Sequence, residues 1–298
     1  MADFADRLAP TETLYRENWG QFNSFDGWHD DGDVQLTGDF MGLGRDQVLF
    51  INRTPVGGRV MVADFGDGVA PAEILYRENW GQSPALDGWH DAGDIQLVGD
   101  FRGLGYDQVL FINRGGAGGR VLVADFRDGV VPAETRYREN WGQFIELDGW
   151  HDTGDLQFVG DFAGRGYDQV LFINRNPMGG RAQVADFHDG VAPVETRYRE
   201  NWGQANTLGG WHDDNDIQQV GDFRGLGHDQ LLLINRDSVG GRVMVIDFRD
   251  GVVPAETLYR ENWGQFTLLD GWHDTGDSQL AGDFGHLGYD QLFLLNGP

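Results

Sequence analysis

Five tandem copies of one 61-residue unit, each holding four short strand-like runs and no helical periodicity, predict an all-β protein: a five-bladed β-propeller with four antiparallel strands per blade. Three observations carry this. The tryptophan of an ENWG motif recurs at Trp19, Trp80, Trp141, Trp202 and Trp263, a constant step of 61 residues. The tryptophan of GWHD keeps the same step at Trp28, Trp89, Trp150, Trp211 and Trp272. The two ends of the chain are complementary fractions of one unit. Ala2–Phe4 matches the ADF of Ala124–Phe126, and the last residues, SQLAGDFGHLGYDQLFLLNGP, carry only what matches Ile95–Asn113.

Within a copy the elements follow from composition. Ile95–Phe101 (IQLVGDF) and Gln108–Asn113 (QVLFIN) are short and apolar, with Gly103 and Gly105 between them. Arg120–Phe126 (RVLVADF) follows the link GGAGG, and Glu134–Trp141 (ETRYRENW) follows DGVVP. Each run has strand length and is bounded by Gly, Pro or Asp turn chemistry. The first two are the most continuously apolar and are expected to lie deepest. Alternation in the fourth sets Tyr137, Glu139 and Trp141 on one face, Arg136, Arg138 and Asn140 on the other. Closure is expected from C-terminal inner strands pairing with N-terminal outer strands, which removes open sheet edges. Residues 1–298 then form a single domain. A linear β-solenoid fits less well, because its coils are shorter and want atypical caps.

Composition narrows function. The formal net charge of −26 repels phosphate backbones and predicts that nucleic acid and anionic membranes are not partners. All 22 cationic side chains are Arg, with Asp in excess over Glu, a balance that suits a salt-adapted source or one of high GC content. The chain has no Cys, so it carries neither disulfides nor thiol chemistry. Met1 leads straight into ADFADR without a basic or apolar leader, so no signal peptide is read. No apolar run approaches a membrane span.

The segment GWHDAGDIQLVGDFRGLGYDQVLFINRGGAGGRVLVADFRDG resembles the FG-GAP/VCBS-type propeller repeat, and the resemblance recurs in every copy. The family's Asp-rich loop often binds Ca²⁺ through a D-x-D-x-D-G pattern. Here, in Asp100–Asp107, the third and fifth positions are Arg102 and Leu104. Other copies have Met41 and Leu43, Ala163 and Arg165, Arg224 and Leu226, or Gly285 and Leu287. Leu and Arg cannot ligate a cation that takes only oxygen, so the loop is expected to persist as a turn, with Asp100 and Asp107 capping local backbone amides and no cofactor bound. A looser similarity joins the paired motifs Asn79-Trp80 and Gly88-Trp89 to the five-bladed tachylectin-type lectins, which also carry two Trp motifs per blade.

The stretch from ENW to GWHD holds the most chemistry. An aromatic face beneath sugar C–H groups, with Asp, Asn or His at the hydroxyls, is how proteins hold carbohydrate. The connection between the motifs varies most, reading FNSF, SPAL, FIEL, ANTL and FTLL, as a surface loop beside a fixed pocket would. The expected ligand-binding residues are Glu17, Asn18, Trp19, Trp28, His29 and Asp30 in the first copy, then Glu78, Asn79, Trp80, Trp89, His90 and Asp91. Their equivalents are Glu139, Asn140, Trp141, Trp150, His151 and Asp152, then Glu200, Asn201, Trp202, Trp211, His212 and Asp213, and finally Glu261, Asn262, Trp263, Trp272, His273 and Asp274. The competing reading makes these tryptophans wedges between blades and the Arg–Glu neighbours simple pairs. A ring of the five WHD histidines is too wide for a metal site, and hydrogen bonding within each copy suits them better. No copy breaks the pattern as a single active site would require. The reading is therefore a non-enzymatic, multivalent lectin for glycans. A protein-interaction scaffold is the first alternative and an enzyme using the central funnel the second.

Overall fold

The computed structural model describes residues 2–3, 12–13, 31–52, 59–66, 73–78, 93–113, 120–127, 134–139, 154–174, 181–188, 195–200, 216–235, 242–249, 256–261 and 277–295. The described residues are all β, with no helix among them and none able to cross a membrane. Two short strands open the chain, β1 (Ala2–Asp3) and β2 (Glu12–Thr13). Four repeated sets follow: β3 (Val34–Gly38), β4 (Gln47–Asn52), β5 (Arg59–Asp64) and β6 (Glu73–Glu78); β7 (Ile95–Gly99), β8 (Gln108–Asn113), β9 (Arg120–Asp125) and β10 (Glu134–Glu139); β11 (Leu156–Gly160), β12 (Gln169–Asn174), β13 (Arg181–Asp186) and β14 (Glu195–Glu200); β15 (Ile217–Gly221), β16 (Gln230–Asn235), β17 (Arg242–Asp247) and β18 (Glu256–Glu261). The chain ends on β19 (Ser278–Gly282) and β20 (Gln291–Leu295).

Each set of four is one antiparallel sheet with its strands in sequence order, while β1–β2 and β19–β20 are two-stranded. The register repeats from copy to copy. Gly99 faces Gln108, Val109 faces Ala124 and Glu134 faces Asp125; the second copy's pairs recur 61 residues earlier as Gly38 with Gln47, Val48 with Ala63 and Glu73 with Asp64. By contacts the chain divides into two compact units, Met1–Asp148 with His188–Ala192, and Gly149–Phe187 with Pro193–Pro298.

Inside each unit, neighbouring sheets pack face to face. In the first, Leu49, Ile51, Val60 and Val62 meet Val109, Phe111, Leu122 and Ala124 of the next copy, in one cluster with Phe40 and Phe126. The other face of β4 and β5 is also apolar, where Phe50, Met61 and Ala63 cluster. Alternation thus gives the second and third strands two apolar faces, the reason QVLFIN reads as a continuous apolar run. The second unit repeats the arrangement, with Leu171, Ile173 and Val184 against Leu231, Leu233, Met244 and Ile246.

One expectation needs correction. The first strand is not among the deepest: Ile95, Gln96, Leu97 and Val98 are half-buried, whereas β8 and β9 are buried along their apolar runs. The cause is position, because the first strand is the edge of its sheet while the second and third are flanked on both sides. Two leucines of one cluster provide a test. Leu49, fully buried on β4, should lose about 2–5 kcal/mol on replacement by Ala. Leu36, half-buried on edge strand β3, should lose clearly less. Urea unfolding of Leu49→Ala and Leu36→Ala measures both, and equal losses would contradict this ordering of depth.

Candidate functional site

The Gly-Asp-Phe loop is the described element in which repeated polar residues converge. Gly103 and Gly105 take positive φ of 64° and 77°, which turns the chain tightly enough for Asp100 to reach forward. Its two carboxylate oxygens accept the amides of Leu104 at 2.8 Å and Gly105 at 2.7 Å. Gln108 accepts from the Arg102 amide at 3.0 Å and donates to the Tyr106 carbonyl. Asp39, Asp161, Asp222 and Asp283 repeat this capping at 2.7–2.9 Å. The carboxylate that would lead a calcium loop therefore has both oxygens engaged by its own backbone. Among the described residues no group of three or more His, Asp or Glu is placed to hold a metal.

The second Asp of the loop does something else. Asp107 accepts the amide of Asp39, in the preceding copy, at 2.7 Å, and its own amide donates to the Asp39 carbonyl at 3.0 Å. The same two-bond clasp joins Asp229 to Asp161 and Asp290 to Asp222, always across 68 residues. The glycine before each clasped Asp is there for space. A Cβ on Gly38, Gly160 or Gly221 would lie 2.7, 2.7 or 2.5 Å from the incoming carboxylate oxygen. The side chain before the clasping Asp packs under the previous loop, with Tyr106, His228 and Tyr289 each 3.5 Å from where a Cβ on Gly42, Gly164 or Gly225 would sit.

These carboxylates split by environment. Burial pushes Asp107 and Asp229 above the usual carboxylate range, against the pull of the amide each accepts, and nearby Asp side chains add to the rise. At Asp222 burial also opposes the charge, but the amides of Leu226 and Gly227 together outweigh it and the carboxyl is held low. Asp283 is held low chiefly by the Leu287 and Gly288 amides. Asp64 is held low by the hydrogen-bonding Arg45 guanidinium.

A second polar pair closes each sheet from within. The Asp ending the third strand is buried and takes a hydrogen bond from the residue just before the loop's second Asp. Arg45 binds Asp64 through two nitrogens at 3.1 and 2.7 Å, Tyr106 binds Asp125 at 2.8 Å, Tyr167 binds Asp186 at 2.9 Å and His228 lies 3.1 Å from Asp247. Burial and the Asp125 carboxylate raise Tyr106 above its usual value. Sequence reading missed this pair. Its signal was a constant 19-residue offset between a variable donor and an invariable Asp.

Of the expected ligand-binding residues, Glu78, Glu139, Glu200 and Glu261 end β6, β10, β14 and β18, opposite Arg59, Arg120, Arg181 and Arg242 in register. The remaining ENW residues and all the GWHD residues lie outside the described residues. No protein-family model matches the chain, and no curated protein does.

Two measurements follow from the loop. Folding disfavours the charged form of Asp229, so this group weakens the native state at neutral pH, and the penalty fades as pH falls through its raised value. Asp64 and Asp222 act oppositely, their contribution being present above the ordinary carboxylate value and lost as pH falls through the lowered one. Asp229→Asn keeps an acceptor for the Asp161 amide. It should be at least as stable as the parent at pH 7, with the difference shrinking toward about pH 4. A deficit at pH 7 that fades as pH falls would mean the clasp needs the charge. Separately, the unfolding midpoint should be the same in chelator and in added Ca²⁺, because a ligand bound only to the native state would raise it.

Proposed function

We propose that this chain is a five-bladed propeller of FG-GAP/VCBS-like repeats that binds glycans at up to five equivalent sites. The observation that carries the reading is in the sequence: an aromatic-plus-polar cluster, ENW and GWHD, repeated five times beside the stretch that varies most between copies. Sugars suit such a cluster, since the indole supplies apolar area and the Glu, Asn, His and Asp supply direction. Support for the propeller comes from the constant 61-residue step and the recurrent face-to-face packing of sheets within each unit. Weak single sites on one rigid body gain through avidity without any new contact. No reacting group is asked for.

A second reading, a protein-interaction scaffold, is favoured by a different observation. Leu43, Leu104, Leu226 and Leu287 stand exposed at the crest of the Gly-Asp-Phe loop in four copies.

The two separate on tryptophan variants. Trp89→Ala should remove one glycan site of five, and replacing all five GWHD tryptophans should abolish binding to a glycan-coated surface while the fold survives. A tryptophan wedged in the core would instead cost about 3–5 kcal/mol on a single replacement. Titration calorimetry with a soluble sugar and circular dichroism melts on the same variants give both quantities. Lost stability with no sugar bound across a broad glycan array would sink the lectin and favour the scaffold.

A further inference from the structure

Gln218 sits where an apolar side chain would fit better. It lies half-buried on β15, in register with Leu233 and on the face that also carries Val220. That face meets the preceding copy of the same unit: Leu231 and Leu233 join Leu171 and Ile173 in one cluster, with Phe158 and Val220 packed against it. An amide placed among such neighbours is costly unless both its polar atoms find partners. The residue is nevertheless Gln in every copy, at Gln35, Gln96, Gln157, Gln218 and Gln279, although the residue after it changes between Leu, Phe and Gln. Nε2 of Gln218 is closed off from solvent, and among the described residues no acceptor meets it; the same holds for Gln157. Turning the amide over would only set its oxygen in that place.

The next junction in the same unit shows what the place can hold. β15 and β19 lie side by side there, as β11 and β15 do one copy earlier. Gln219 donates through Nε2 to the backbone carbonyl of Gln279 at 3.2 Å. Gln279 is the counterpart of Gln218 one copy on, so the first strand, an edge of its sheet, turns a carbonyl at this position toward the preceding copy. Where β11 meets β15, the residue in the place of Gln219 is Phe158, which has no donor. What completes this junction must therefore be small, must both accept and donate, and must come from outside the chain. Water meets all three conditions. We propose that one ordered water is held between β11 and β15, accepting from Nε2 of Gln218 and donating to the backbone carbonyl of the same residue. Water then does at this junction what the Gln219 side chain does at the next, and the Gln218 amide has its use.

Two measurements on the full chain test this. A crystal structure at a resolution that shows ordered water should place a peak about 2.7–3.2 Å from Nε2 of Gln218. No peak there, or a protein acceptor in its place, overturns the proposal. Gln218→Met keeps the length of the side chain and removes the amide, so it separates a hydrated donor from an idle one. Losing the bond to water should lower the melting midpoint by about 2–4 °C. An idle buried donor gives the opposite sign, because Met relieves its cost. A midpoint that rises or stays where it was therefore overturns the proposal as well.

Discussion

At three described junctions, a carboxylate crosses from one copy to the amide of the copy before it and holds the two loops together. The carboxylate's bond to the Asp39 amide works against the burial that disfavours its charge, and it is backed by a second bond in the reverse direction. The order Gly-Asp-Phe follows from it. Glycine leaves room for the neighbour's carboxylate, the Asp amide is what that carboxylate binds, and the Phe ring is buried beneath in the first three of these loops. The Asp side chain is free to cap its own turn because its backbone, not its carboxylate, makes the inter-copy bond. One residue thus holds its own loop and accepts its neighbour with different atoms.

The clasp fixes where adjacent sheets meet, and the apolar faces fit to that. In the first unit Leu49 and Ile51 of one copy must match Val109 and Phe111 of the next, and in the second unit Leu171 and Ile173 must match Leu231 and Leu233. Within each unit, a change on one of these paired faces has to suit a partner in the next copy. The buried Asp at the end of the third strand tolerates more. A buried carboxylate needs a donor but not a particular one. Arg45, Tyr106, Tyr167 and His228 all meet that need, and the position varies without loosening the sheet.

What could be read beforehand divides along the same physical line. Gln108–Asn113 was legible to the residue, because an uninterrupted apolar run between two turn signals has one reading in a β protein. The third strand ends one residue short of expectation, at Asp125, where the side chain turns to cap the Arg127 amide. Asp100 was legible as a local cap, since its partners lie four and five residues on. Asp107 was not, for its partner lies 68 residues back and no local pattern points there. The depth of the first strand was misjudged because apolar content reports what a residue can bury, whereas edge or centre decides what it does bury. The ENW and GWHD residues were chosen on their chemistry, and apart from the backbone of four glutamates they fall outside the described residues.

Internal repetition has two sources, and they can be separated here. The Gly-Asp-Phe loop and the apolar strands recur because each copy must fit the next, so their repetition carries no information about a ligand. Packing of that kind accounts for Gly38, Asp39, Phe40, Asp107 and the paired faces of the second and third strands. ENW and GWHD, four glutamates apart, lie outside the described residues, so this accounting stops short of them. Two tryptophans, a His, an Asp and an Asn per copy recur beside a stretch that changes from FNSF to FTLL. The proposed glycan-binding surface would need those side chains presented five times over, a demand for aromatic and polar groups together rather than for apolar bulk.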